Sequence, residues 1–146
     1  MLTVSSVAAT RPHRLEVQLS DGESLQVDLS ELIARSPAYA ALRDPDVFCS
    51  VVVDDWGHGV DWPSLDQGLA IETLIRLTRE QTGKAMPTEA FNAWLQRHRL
   101  TLTAAAEALG LSRSSVVRYH TGQRPIPIYV GLACEGWEAR KRHAAA

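Results

Sequence analysis

ALGLSRSSVVRY, residues 108–119, is the stretch on which the reading of this 146-residue chain turns. A run of small and apolar residues ends at Gly110, Leu111 follows, and Ser112 opens a segment with a helical period of its own. Glycine tolerates the positive φ of a tight turn, and serine is a preferred helix cap. Two short helices that cross closely need small residues on the first of them. Ala105 and Ala106 supply these, on the same arc as Leu109. Stepping about 100° per residue from Val116 puts Tyr119 on the same inward side of the second helix. Ser114, Val117, Arg118 and Thr121 then point outward, with Arg113 at the helix start. Such a row of small polar groups and arginine suits the floor and the phosphate walls of a DNA groove.

Working outward, Thr101 is expected to cap the helix Leu102–Leu109, and Thr88 to cap an earlier helix striped with Phe91, Trp94, Leu95 and His98. His120 is expected to pack at the inward edge of its helix. Residues 122–127 stop that helix, because neither Pro125 nor Pro127 has a backbone donor. A last helix over 128–142 would bury Val130, Ala133, Cys134 and Trp137. The expectation for residues 87–143 is an all-α domain.

The run TLTAAAEALGLSRSSVVRYHTGQRPIP, residues 101–127, resembles the helix-turn-helix of the lambda-repressor/Cro-like family, and the likeness extends over about 87–140. The small-residue pair, the turn glycine and the inward Leu111, Val116 and Tyr119 carry it. The resemblance implies binding of double-stranded DNA. By analogy Arg113, Ser114, Ser115 and Arg118 match positions that read bases or grip phosphates, while Thr121 and Arg124 match backbone-contacting positions just beyond. One position departs from the family pattern. Where the family often has a glutamine that helps hold a phosphate, this chain has Leu102, and Thr101 and Thr103 are the neighbours placed to substitute.

The first half has a different grammar. RLEVQL and SLQVD alternate apolar and polar residues around an Asp-Gly turn, which predicts a hairpin, and residues 4–8 offer a third strand. Short helices are expected over 29–35 and 38–43, a buried strand over 47–53, a short strand over 60–62, and a helix over 69–80. This makes an α+β domain with an antiparallel sheet over residues 1–81, followed by a boundary at 82–87. Asp21-Gly22, Asp28-Leu29, Phe48 and Trp62-Pro63 together resemble a small bacterial domain family of unknown function. Some of its members are encoded beside small toxin-like proteins, and some carry a C-terminal helix-turn-helix.

Charge divides along the same line. Residues 1–80 hold six Arg/Lys against thirteen Asp/Glu, a net of −7; residues 81–146 hold nine against four, a net of +5. A basic half of this kind is a candidate for polyanion binding. No run of about 18 apolar residues is present and the N-terminus lacks a signal-peptide layout, so a cytoplasmic protein away from membranes is expected. Cys49 and Cys134 are expected to be free, buried thiols. Asp54, Asp55, His58 and Asp61 cluster without a recognised ligand spacing, His13 has no apparent partner, and neither a phosphate-cradling loop nor a nucleophile elbow occurs. No metal, cofactor or catalytic role is therefore expected.

Trp56 and Trp62 are either core or an exposed recognition surface. The leading expectation is a sequence-specific transcriptional regulator acting as a homodimer. Its pairing surface would be the last helix, or the sheet edges and the 69–80 helix of the first half. The alternative is an antitoxin-like interaction module that binds a basic partner protein.

Overall fold

The computed structural model describes residues 1–145, which form two compact units, Met1–Gln81 and a second beginning at Thr82. The fold is mixed, with small antiparallel sheets and several helices. In the first unit β1 (Val4–Thr10), β2 (Arg14–Leu19) and β3 (Ser24–Asp28) make one antiparallel sheet in the order β1-β2-β3. Across β2 and β3, Leu15 faces Val27 and Val17 faces Leu25. All four are buried, as the period-2 pattern requires. A second sheet contains β4 (Val52–Val53), β5 (Gly59–Trp62) and β6 (Gln67–Ala70). β5 and β6 approach closely at Gly59, where a Cβ would fall 2.1 Å from the Leu69 carbonyl oxygen. Between the sheets in sequence lie α1 (Ser30–Arg35), a 3-10 turn (Pro37–Arg43) and the one-turn α2 (Pro45–Phe48), and α3 (Ile71–Gln81) closes the unit.

Four expectations for this unit change. The strand expected over 47–53 is mostly helix and turn, with only Val52 and Val53 extended. Asp44 and Pro45 decide this locally: the Asp44 carboxylate accepts the Asp46 N–H at 2.9 Å, and Pro45 occupies the first helical position, where its fixed φ is suited to a helix. Phe48 is thereby turned inward onto Trp62, whose Nε1–H donates to the Phe48 carbonyl at 3.0 Å. Cys49 falls past the turn and is exposed rather than buried. The helix expected over 69–80 begins only at Ile71, because Leu69 and Ala70 pair with Val60 and Gly59. His13, expected to be solitary, packs edge-on against Phe48 with ring centroids 5.3 Å apart.

The second unit holds α4 (Thr88–Arg97), α5 (Leu102–Leu109), α6 (Arg113–His120) and α7 (Ile128–Ala145) around Phe91, Trp94, Ala105, Ala106, Val116, Tyr119, Ile126, Val130 and Cys134. It is not wholly helical: β7 (Ala85–Met86) pairs with β8 (Ile126–Pro127). Met86 and Ile126 face each other in that ladder, and each precedes a proline, which drives both toward extended backbone. Thr88 is the first residue of α4, not its cap; Pro87 holds that place without a side-chain bond. No helix among the described residues is long and apolar enough to cross a membrane.

Candidate nucleic-acid interface

The interface is built on the turn between α5 and α6. Thr101 caps α5, its hydroxyl oxygen accepting the Ala104 N–H at 3.0 Å. Gly110 ends the helix with φ 69°, the left-handed conformation that glycine adopts without a Cβ penalty. The Leu111 N–H then donates to the Ala106 carbonyl at 2.9 Å, and Leu111 packs against the core. Ser112 caps α6 by accepting the Ser115 N–H at 3.2 Å. Ala105 and Ala106 are both buried, so small side chains do line the inner face of α5.

On α6, Val116 and Tyr119 are buried, and they fix which side faces out. Arg113 and Ser114 are exposed at its first turn, Ser115 is half-buried, and Arg118 lies half-buried one turn beyond Ser114. Thr121 and Arg124 are exposed in the segment that follows. Three of the eight expected site residues are cations and none is acidic, the sign a polyphosphate needs, while exposed Glu107 lies one turn along α5 from Thr103.

The side chains are linked to one another. Arg113 Nε donates to the Thr103 hydroxyl at 3.2 Å, joining the start of α5 to the start of α6. The Ser112 hydroxyl lies 3.2 Å from that of Ser114 and donates to that of Ser115 at 3.0 Å. Thr121 is engaged differently: its hydroxyl donates back to the Val117 carbonyl at 3.0 Å. Of the expected residues, then, Thr103 joins Arg113, and Ser114 and Ser115 gather on Ser112. Thr101 is occupied with its own helix.

Two features escaped the sequence reading. His120 is exposed, not packed inward, and is tied to α4: its Nδ1 sits 2.8 Å from Asn92 Oδ1, and its carbonyl accepts from Asn92 Nδ2 at 3.1 Å. The second feature joins α4 to α7. Arg97 and His98 both reach the Glu138 carboxylate, His98 at 2.8 Å, beside an open cleft of about 270 Å³ lined also by Lys141 and Arg142. The Arg97 hydrogen bond, then that of His98, holds the Glu138 carboxyl below its ordinary pKa. Partners some 40 residues apart leave no signal in a linear sequence. Burial, reinforced by the neighbouring Tyr129, raises the Tyr119 phenol above its usual range.

Comparison with known proteins adds two findings. A family model described as "Protein of unknown function (DUF2442)" matches residues 4–80. The chain belongs to this family. The DUF2442 match covers the first unit and stops before α4. Among solved structures, this DUF2442 chain is similar to the crystal structure of "Putative DNA Binding Protein NE0471" from Nitrosomonas europaea ATCC 19718. Identity is 36% and the TM-score 0.60, over 95% of this chain and 88% of the other. No curated protein matches the chain.

Proposed function

We propose that the chain is a non-catalytic, sequence-specific DNA-binding regulator whose second unit is a lambda-repressor-like helix-turn-helix acting in the cytoplasm. One observation carries this reading: α6, which contains no acidic residue, buries Val116 and Tyr119 and so turns Arg113, Ser114 and Arg118 away from the core. Such a face offers short donors to base edges and cations to phosphates. The name of the Nitrosomonas relative supports the same reading. Thr101, Thr103, Ser115, Thr121 and Arg124 complete the contact set. The test is selection of bound sequences from random duplex DNA with the full-length protein. An enriched motif is expected, and equally weak binding to every duplex would contradict the proposal.

The regulator would work as a homodimer, since one small reading head covers about half of a standard operator. The exposed Ile128, Tyr129 and Leu132 of α7 favour that helix as the pairing surface. Light scattering should give a dimer for the wild type and a monomer for Leu132→Lys.

A second reading has its own support. Trp62 is core, but Trp56 is 81% exposed on a turn in which Asp54 accepts the N–H groups of Trp56 and His58. An exposed tryptophan on a turn whose backbone is held by Asp54, next to Asp55, favours a basic protein partner for the first unit. Purified protein that ignored DNA yet captured a basic partner, with loss on Trp56→Ala, would favour this reading over the first.

A further inference from the structure

We infer that Arg113 reads a guanine and that Thr103 is the residue that positions it. This deepens the DNA-binding reading and rests on it. A guanidinium carries five N–H donors in a rigid planar fork. Its Nε–H is taken here by the Thr103 hydroxyl at 3.2 Å, which closes the side-on approach that would use Nε together with one Nη. The two Nη groups remain and present paired donors end-on.

In the major groove only guanine offers two adjacent acceptors on one base, N7 and O6. Adenine places a donor beside its acceptor, thymine offers one acceptor and a methyl group, and cytosine offers a donor. Arg113 is the first residue of α6, and in recognition helices the N-terminal residues are those that meet base edges. Arg118 and Arg124 lie further along and are left for phosphates.

The role of Thr103 also accounts for Leu102. Leu102 is half-buried and packs against the second core, so it cannot reach outward as a glutamine would. The next residue, exposed Thr103, carries the supporting hydroxyl instead. Thr103 is a positioning residue: its effect on base choice passes through Arg113.

The experiment is sequence selection with full-length wild type, Arg113→Gln, Thr103→Val and Thr103→Ser, followed by affinities for the wild-type consensus and for single-base variants of it. Arg113→Gln should lose about five- to a hundredfold against the consensus, with the loss confined to one guanine per half-site. Thr103→Val keeps the shape but removes the hydroxyl, and should weaken preference for that same guanine about three- to tenfold. Thr103→Ser should restore it.

An unchanged motif in Arg113→Gln would overturn the guanine assignment while DNA recognition stood. Equal weakening on every sequence would make Arg113 a phosphate contact and overturn it too. Thr103→Val and Thr103→Ser behaving alike would remove the positioning role. A wild type that selects no motif would bring down the DNA-binding reading itself, and the inference with it.

Discussion

Salt dependence gives the sharpest quantitative consequence of placing the phosphate contacts on one face. With Arg113 assigned to a base, Arg118 and Arg124 remain for phosphates in each head, four contacts in a dimer. Each neutralised phosphate contributes about −0.9 to the slope of log K against log salt, so the wild-type slope should be about −3.6. Between roughly 50 and 200 mM salt that slope costs about 150-fold in affinity. Arg124→Ala removes one contact per head. Its slope should fall to about −1.8, and the same salt change should cost only about 12-fold. Arg124 is exposed in the segment after α6, so its loss leaves the core intact. The control is Arg140→Ala, an exposed cation of α7, which should keep the wild-type slope. Fluorescence anisotropy on one labelled duplex at several salt concentrations measures all three. Equal changes of slope in both variants, or none in Arg124→Ala, would show that the contact surface lies elsewhere.

Three further outcomes follow from the packing. Ala105→Leu should overpack the crossing of α5 and α6 and destabilise the second unit by about 1–3 kcal/mol, read as a lowered melting temperature; unchanged melting would mean the helices are not closely packed there. Trp62→Phe deletes the bond to the Phe48 carbonyl and some buried volume, and should cost about 2–3 kcal/mol in urea denaturation, whereas a cost below about 0.5 kcal/mol would remove that bond as a determinant of the first unit. Burial, then Glu138 and Glu135, pushes the Cys134 thiol from 9.0 up to about 11. The folded state therefore favours the neutral thiol: this contribution to stability is intact below pH 9.0 and is lost as pH rises toward about 11. At neutral pH a thiol reagent should label exposed Cys49 and spare Cys134 until the protein is unfolded, and prompt labelling of both would contradict the buried placement.

What the sequence made legible was local. The hairpin needed only alternation and an Asp-Gly turn. The cap at Thr101 and the glycine turn each depend on a residue's own chemistry and its near neighbours, and both occur as read. The misreading at 47–53 was local, whereas the others named here came where neighbours in space outweighed neighbours in sequence. Residues 47–53 look like a strand until Asp44 and Pro45, just upstream, start a helix turn. Leu69 looked helical because the apolar spacing of α3 extends back to it, yet it pairs with Val60. Met86 and Ile126 are 40 positions apart, and only the fold shows that two pre-proline residues become ladder partners. The bond from Arg113 to Thr103 is of the same kind: the outward face of α6 could be counted residue by residue, but its link to α5 could not.

The most direct test of the central claim is amide hydrogen exchange of the full-length protein, free and bound to a duplex carrying its selected site. Protection gained on binding should concentrate at residues 101–103 and 112–124, with the first unit unchanged. Protection that appeared instead around Trp56, or at the cleft beside Glu138, with residues 112–124 unaltered, would contradict it.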